Sequence, residues 1–175
     1  ITVSDYDRRK LLEEAPNTPV HVVSNIHEIH GNTTGFLERS GILFIGGFQH
    51  PPNADAVLWF LAEVFPALQQ RIPGLCFHVI GSDPPKEIRE QASENIIIEG
   101  FLEDVQTQFE SRRLSIAPLR YGSGVKGKIN QSMAYALPCV ATTPAVEGMD
   151  LDWGREILVA DSAQEFAGAV AELYE

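Results

Sequence analysis

The sequence is short of basic residues, and this narrows the classes of partner it can bind. Its 175 residues contain 13 Lys and Arg against 24 Asp and Glu, which gives a formal net charge of −11 at pH 7. A general nucleic-acid binder needs a basic face that displaces counterions from the phosphate backbone. The charge balance therefore argues against that class, and it equally disfavours an anionic membrane surface as the main partner.

Long apolar runs and cysteines are scarce as well. The longest apolar runs, such as residues 57–60, are far below the roughly 20 residues that a membrane-spanning helix needs, and the start shows no signal-peptide pattern. The two cysteines, Cys76 and Cys139, are expected inside strands as buried, reduced thiols, which fits a cytoplasmic setting. The sequence begins at Ile1 within an apparent strand, so we expect it to be a piece of a longer protein.

Helical and strand patterns alternate along most of the chain. Strands are predicted over 42–45, 75–80, 95–99, 114–117, 139–142 and 157–159, and strand-like runs also occupy 1–4 and 20–23. Helices are predicted over 7–14, over 53–71 with Asn53 as the N-cap, over 86–92 and 104–110, after Gly127, and around Phe166 to Leu173. The alternation predicts an α/β fold with a Rossmann-like, doubly wound and mostly parallel sheet.

A glycine-rich segment follows the strand predicted over 114–117 and precedes a predicted helix. It reads Gly-Ser-Gly-Val-Lys-Gly over residues 122–127, and we call it the glycine loop. Glycines allow a tight turn and leave room for a ligand near the backbone amides, while the start of the next helix offers unpaired N–H groups to an anion. Lys126 and Lys128 add positive charge to an acidic protein. The segment therefore predicts a phosphate-binding site.

Glycines also end three other predicted strands. They lie at 46–47, at 81 and at 100, the last followed by Phe101. Because the carboxyl ends of parallel strands meet at one edge of the sheet, where ligands of such folds bind, we expect these segments and the glycine loop to form one rim.

Two other interpretations fit parts of this pattern. The glycine loop also matches the G-x-G-x-x-G fingerprint of dinucleotide sites, with Glu147 about 20 residues further on. That fingerprint belongs to the first strand–helix turn of its fold, whereas several βα units precede the glycine loop, so nicotinamide or flavin binding is the weaker interpretation. A phospho-receiver domain that uses Asp83 would need a cluster of acids after the first strand, where this sequence has glycines.

The motifs and their order resemble the sugar-nucleotide-binding half of group 1 (family 4 type) glycosyltransferases. The resemblance rests on residues 117–142 around the glycine loop, on Phe-Ile-Gly-Gly at 44–47 followed by Pro-Asn-Ala at 52–54, and on the strand ends at 77–81 and 97–101. It implies a GT-B fold, in which two Rossmann-like domains face each other across a cleft. It also implies that this chain is the C-terminal domain of the two.

The resemblance further implies a division of the chain, a reaction and its partners. Residues 1–40 would be an interdomain segment with the first elements packing on the domain, and residues 41–175 the nucleotide-sugar-binding domain. The implied reaction is retaining, metal-independent transfer of a glycosyl group from a nucleoside-diphosphate sugar to an acceptor hydroxyl, without a cofactor. The partner would be the N-terminal acceptor domain of the same protein, so the isolated half is expected to be inactive, and membrane association would involve only that other half.

The resemblance assigns roles to individual residues. Lys126 and Lys128 would stabilise the leaving diphosphate. The residues expected to contact the nucleotide sugar are Gly46, Gly47, Gly100, Phe101, Tyr121, Gly122, Ser123, Gly124, Val125 and Gln131.

Some positions depart from the family pattern. Many relatives carry two glutamates eight positions apart, where this sequence has Ser123 and Gln131, and an Arg and a Lys where it has Phe-Gln-His at 48–50. Gln131 can still hydrogen-bond a diol, although less strongly than a carboxylate. These departures leave open a degenerate GT-B-like domain that serves as a non-catalytic binding module. The pair His27 and His30 is expected to be a loop coincidence rather than a metal site.

Overall fold

One parallel sheet organises the chain. The structure is a computed structural model that describes residues 1–122 and 124–175. The sheet has six strands in the order β3-β2-β1-β4-β5-β6, and every neighbouring pair is parallel. The strands are β1 (Ile42–Ile45), β2 (Phe77–Ile80), β3 (Ile96–Gly100), β4 (Leu114–Ala117), β5 (Cys139–Ala141) and β6 (Leu158–Val159). The prediction of a Rossmann-like α/β fold is confirmed, with an all-parallel sheet.

Helices connect the strands and cover the sheet. They are α1 (Asp5–Glu14), α2 (Pro51–Trp59), α3 (Phe65–Arg71), α4 (Lys86–Arg89), α5 (Gln106–Ser111), α6 (Gly127–Ala134), α7 (Thr143–Val146) and α8 (Ala163–Tyr174). A 3-10 turn covers Phe36–Glu38. Burial on both faces explains why the strands read as continuous apolar runs: all four residues of β4 are buried. None of the helices in the described part of the chain is long and apolar enough to span a membrane.

The predicted 53–71 helix is wrong at its start and in its middle. Helix α2 begins at Pro51 with His50 as the N-cap, so Asn53 is not the cap. Proline suits the first turn of a helix because its missing N–H would have no intrahelical partner there. Between α2 and α3 the chain forms a π-helical turn over Phe60–Val64. Pro66 is the second residue after this turn, and because it cannot donate to the fourth preceding carbonyl, the backbone widens at this point.

Other element bounds differ by a few residues for local reasons. Strand β2 begins at Phe77, since Leu75 still donates to the carbonyl of Ile72 in a turn, and Cys76 is half-buried before the strand rather than inside it. Cys139 is buried at the first position of β5, as predicted. Asp104 lies outside α5, and its carboxylate accepts from the N–H of Gln106 at 2.8 Å.

Aromatic side chains fill the core between the sheet and helices α2, α3 and α8. Phe60, in the π-helical turn, is fully buried, with its ring centroid 4.7 Å from that of Phe77, 5.9 Å from Phe65 and 6.2 Å from Phe166. Helix α8 begins with a capping box in which Ser162 accepts from the N–H of Glu165 at 3.2 Å. Packing of α8 against this cluster therefore fixes one face of the sheet.

The first 40 residues are less regular. The strands predicted at 1–4 and 20–23 reduce to a single parallel bridge between Thr2 and Val22 on either side of α1. Helix α1 is capped by Ser4, which accepts from the N–H of Asp7 at 3.1 Å, and none of its residues is buried. The chain then runs along α6, where the N–H of His30 donates to the carbonyl of Ala134 at 2.8 Å.

Candidate functional site

The candidate site lies where the strand order reverses. Strands β1, β2 and β3 follow one another towards one edge, whereas β4 lies on the other side of β1. The loops after β1 and β4 therefore leave the sheet next to each other, and Pro52 lies 3.7 Å from the position that a Cβ on Gly122 would take. Ligands of doubly wound sheets bind in the crevice at this switch point.

The loops after β1, β2 and β3 are joined by backbone hydrogen bonds. The N–H of Gly46 donates to the carbonyl of Ile80 at 2.9 Å, and that of Gly81 to the carbonyl of Gly100 at 2.8 Å. The N–H of Phe48 donates to the carbonyl of Ser82 at 3.1 Å. Three of the four segments expected in the rim thus form a connected backbone surface.

The glycine loop leads directly into α6. Gly122 and Gly124 have φ angles of +134° and +75°, values that residues other than glycine rarely adopt. Lys126 is the N-cap, and its ammonium donates to the carbonyl of Gly124 at 2.6 Å, so this side chain closes the loop on itself. Burial lowers the pKa of Lys126 while Glu147 opposes the shift. Ser123 lies outside the described residues.

Of the two helices at the switch point, α6 is the better equipped to bind an anion. Prolines occupy the first two positions of α2, which removes two of the N–H groups that a helix start normally offers. Helix α6 starts with Gly127 and Lys128, whose N–H groups have no intrahelical partner. A dinucleotide on the first strand–helix turn is therefore disfavoured on physical grounds.

Lys128 extends across the switch point. Its Nζ donates to Oδ1 of Asn53 at 2.6 Å and lies 4.1 Å from the ring centroid of Phe44 on β1. A Cβ on Gly46 would lie 2.8 Å from this Nζ, so a larger residue there would displace the ammonium. Burial lowers the pKa of Lys128 to about 7, and no carboxylate among the described residues contributes to that shift. When it is protonated, the group is thus an enclosed cation without a counter-ion from the described residues.

Arg120, a further cation of this region, is already paired. Arg120, between β4 and the glycine loop, forms a two-pronged ion pair with Asp55 of α2, with Nε donating to Oδ2 at 2.9 Å. The pair joins the two loops on their outer side. Arg120 therefore acts as a clamp between the loops rather than as a free anion ligand.

Exposed aromatic side chains lie at two of the strand ends. Gly100 has a φ of +72° at the end of β3, and Phe101 after it is 70% exposed. Tyr121, which precedes the glycine loop, is also exposed. Such surfaces can pack against a planar base.

A sequence profile described as "Glycosyl transferases group 1" matches residues 39–175. The chain belongs to the group 1 glycosyltransferases. This confirms the family that the glycine loop and its flanking strands indicate.

One curated protein and several solved structures are similar to this group 1 glycosyltransferase chain. A Klebsiella pneumoniae protein described as "Uncharacterized 44.6 kDa protein in cps region" is 24% identical over an alignment of 140 positions, which covers 75% of this chain and 36% of that protein. The crystal structure of TarM matches with a TM-score of 0.80 at 17% identity over 99% of this chain, and that of the GtfA/B complex with 0.71 at 12% over 99%. The chain spans 36% of the first two proteins and 38% of the matched GtfA/B chain. Its fold is one Rossmann-like half of a GT-B glycosyltransferase.

Gln131 lies on a different surface of the glycosyltransferase chain from the glycine loop. It lines a cavity of about 280 Å³ with His27, Glu28, His30 and Tyr135, and none of residues 122–127 that the structure describes lines this cavity. The His30 ring stacks on Tyr135 at 4.4 Å between centroids. Contact between Gln131 and a ribose stays a prediction.

A larger cleft opens beside the glycine loop and α6. Its volume is about 520 Å³, with Val125 and Asn130 on one wall and residues 148–151 on another. The third wall comes from the first 25 residues, including Arg9. The hydroxyl of Tyr6 donates to the carboxylate of Glu147 at 2.7 Å and so connects two of these walls. Glu147 is the acid that the dinucleotide interpretation requires for the ribose, and this hydrogen bond already engages it. Within the described residues, no group of three or more His, Cys, Asp or Glu could hold a metal ion.

Sequence reasoning missed Asn53 as a member of this site. It was predicted to cap α2, whereas its buried amide contacts both Lys128 and Gly47. The rule that proline favours the first helical position would have moved the cap to His50 and freed Asn53 for another role. No local pattern in the sequence indicates that Arg120 pairs with Asp55, because these residues are 65 positions apart.

The low pKa of Lys128 predicts how stability depends on pH. Between about pH 7 and pH 9 the unfolded chain, where the pKa of a lysine is 10.5, holds a proton that the folded chain lacks, so stability should rise with pH. The expected slope is about 1.4 kcal/mol per pH unit. Above pH 9 the rise should level off, because burial raises the pKa of Cys139 from 9.0 to about 11 and the unfolded thiol loses its proton first.

Urea unfolding from pH 7 to pH 9 measures this slope. Lys128→Met has no proton to exchange, so the rise in stability should disappear in that variant. Lys10→Met, which removes an exposed lysine of α1, is the matched control and should keep the wild-type slope. Equal slopes in the wild type and Lys128→Met would contradict the prediction.

Proposed function

We propose that this chain is the donor-binding half of a retaining, metal-independent glycosyltransferase. Its substrate would be a nucleoside-diphosphate sugar, and the sugar would pass to an acceptor hydroxyl supplied by a partner domain. The K. pneumoniae relative is described as a protein of the cps region, and one matched structure is a mutant of S. aureus TarM in complex with Fondaparinux, alpha-GlcNAc-glycerol and UDP. These descriptions support a nucleotide-sugar donor and a role in polysaccharide synthesis.

The observation that carries the proposal is the unpaired ammonium at the switch point. Lys128 is enclosed between Phe44, Asn53 and Gly46, and it lies one residue beyond the start of α6. A diphosphate next to the glycine loop would meet this ammonium and the free N–H groups of the first turn of α6. Both would stabilise the charge that develops on the leaving diphosphate.

The reaction would need little else from this half. The bond between the anomeric carbon and the diphosphate oxygen breaks, and a new bond to the acceptor oxygen forms on the same face of the sugar. The proton of the acceptor hydroxyl would pass to the leaving diphosphate. Backbone amides of the glycine loop would hold the leaving group, and Phe101 and Tyr121 would pack against the base.

Exposed apolar side chains support a partner domain on the side of residues 1–40. Ile26 is 95% exposed, and Ile1, Val23 and Ile29 are exposed as well. Exposed apolar residues concentrated in one segment mark an interaction surface. We propose that residues 1–40 are the interdomain segment, that residues 41–175 are the nucleotide-sugar domain, and that the 520 Å³ cleft between them receives the transferred sugar.

Calorimetric titration with UDP, GDP and ADP, without added metal, tests the proposal. One of the three should bind saturably to the chain. Gly124→Asp places a negative charge at the loop and should weaken binding by at least about 10-fold. Gly124→Asn is the matched control, because Asn tolerates the same positive φ and adds no charge, so it should bind more tightly than the Asp variant.

A degenerate binding module is the second candidate, favoured by the lack of glutamates at positions 123 and 131. If neither the chain nor the full-length protein binds any of the three nucleotides, this candidate replaces the first. If the nucleotide binds and the full-length protein transfers no sugar, the chain is a nucleotide-binding module without catalysis.

A further inference from the structure

The side chain of Asn53 connects the two loops of the switch point. Its Oδ1 accepts a hydrogen bond from Lys128 Nζ at 2.6 Å, and its Nδ2 donates to the carbonyl oxygen of Gly47 at 2.7 Å. An ammonium can only donate and a carbonyl can only accept, so these partners fix the orientation of the amide. Asn53 is 8% exposed, so little water is available to replace either bond.

We infer that Asn53 is a positioning residue for the diphosphate: its amide holds the Lys128 ammonium beside the Gly46–Gly47 loop and leaves the positive charge of that ammonium uncancelled. The inference rests on the proposed function. One buried amide thus positions both the Lys128 ammonium and the carbonyl of Gly47.

The choice of an amide rather than a carboxylate argues for this role. Aspartate has nearly the same shape and would pair with Lys128, raising the pKa of the lysine and cancelling its charge. With Asn53 in place, burial dominates and lowers the pKa of Lys128 to about 7. A buried cation with a neutral partner is unfavourable for the empty site, which is the pattern expected where an anion completes the arrangement.

The surroundings of Lys128 leave room for that anion. Of its three N–H groups, one contacts Asn53, and no other acceptor among the described residues contacts the rest. The titratable groups that act on it are the ammonium of Lys126 and the thiol of Cys139 on β5. That thiol is neutral near pH 7, because burial raises its pKa to about 11. Lys128 therefore offers two donors and no competing carboxylate.

Proton uptake on nucleotide binding tests the inference. The chain is titrated with UDP, GDP and ADP at pH 8 in two buffers that differ in ionisation enthalpy. A terminal phosphate with a second pKa of about 6 is already ionised at this pH, so uptake of a proton reports the two lysines of lowered pKa, Lys126 and Lys128, of which Lys128 contacts Asn53. The wild type is expected to take up a large fraction of one proton, because the diphosphate raises the pKa of the lysine.

Two variants of Asn53 should change this result in different ways. Asn53→Asp keeps the size of the side chain, so it should fold, take up almost no proton and bind at least about 10-fold more weakly, since its carboxylate already pairs with Lys128. Asn53→Leu removes the acceptor and should also bind at least about 10-fold more weakly. Asn95→Asp makes the same change in charge just before β3, at the other end of the strand from the site, and should behave as the wild type.

Wild-type affinity and wild-type proton uptake in either Asn53 variant would overturn the inference while leaving the proposed function intact. If neither the wild-type chain nor the full-length protein binds any of the nucleotides, the proposed function is wrong, and an NMR titration of Lys128 in the free chain tests Asn53 directly. A pKa of Lys128 clearly higher in Asn53→Asp than in the wild type supports the inference. An unchanged pKa overturns it.

Discussion

Gly81→Ala should lower the free energy of unfolding by more than about 3 kcal/mol. A Cβ at this position would overlap the carbonyl oxygen of Gly46 and lie 2.9 Å from its carbonyl carbon. The obstacle is backbone that is itself held by the hydrogen bond from the N–H of Gly46 to the carbonyl of Ile80. Neither strand end can move without breaking the connected rim, so we expect loss of both stability and nucleotide binding.

Gly168→Ala is the matched control for this substitution. Gly168 lies inside α8, and a Cβ there would meet nothing within 4 Å. Because alanine favours the helix, this variant should be more stable than the wild type by about 0.5–1 kcal/mol. Urea unfolding monitored by circular dichroism measures both variants. A Gly81→Ala protein of wild-type stability would mean that the loops after β1 and β2 can separate freely.

Phe60→Ala should destabilise the chain by about 3–5 kcal/mol, because the cavity it leaves lies among three other buried rings. Phe60 is fully buried against Phe65, Phe77 and Phe166, and these rings belong to three different elements that cannot all collapse into the space. Denaturant unfolding is the measurement. A loss below about 1 kcal/mol would contradict this account of the core.

Phe101→Ala provides the contrasting result for a second phenylalanine. Phe101 is 70% exposed, so its removal should change stability by less than about 0.5 kcal/mol. If the ring packs on a nucleotide base, affinity for the bound nucleotide should fall by about 10-fold. A lower free energy of unfolding together with unchanged nucleotide affinity would show that Phe101 supports the fold instead.

Most of the fold could be predicted because its signal is local. The six strands are short and mostly apolar runs, three of which end at a glycine, and their predicted bounds agree with the structure within two residues. Two predicted strands failed to form because distant residues decide whether a strand finds a partner. The strand-like runs at 1–4 and 20–23 have the composition of strands, but the described residues give them one bridge and no further partner. The composition of a segment indicates that it can form a strand, but the strand forms only where a neighbouring strand pairs with it.

The candidate site was less predictable than the fold. The glycine loop could be recognised because a cluster of glycines is visible in the sequence, and two of them, Gly122 and Gly124, have the positive φ that glycine favours. The position of Lys128 was not, since its amide partner is 75 residues away and its low pKa arises from enclosure by β1 and α2. Lys126 and Lys128 look equivalent in the sequence. In the structure one closes its own loop while the other spans the switch point.

Helix α8 is hydrogen-bonded to the residue that precedes β1, the first strand of the sheet. The hydroxyl of Tyr174 accepts from the N–H of Gly41 at 2.8 Å, and Arg113 donates to the carbonyl of Tyr174 at 3.0 Å. Helix α8 therefore completes the packing around β1, although β1 is synthesised earlier. During synthesis the ring cluster around Phe60 remains uncovered until α8 has left the ribosome, so the native packing of this domain forms only after that point. A nascent chain halted before residue 163 should bind hydrophobic-surface dyes and chaperones that the chain with α8 in place does not.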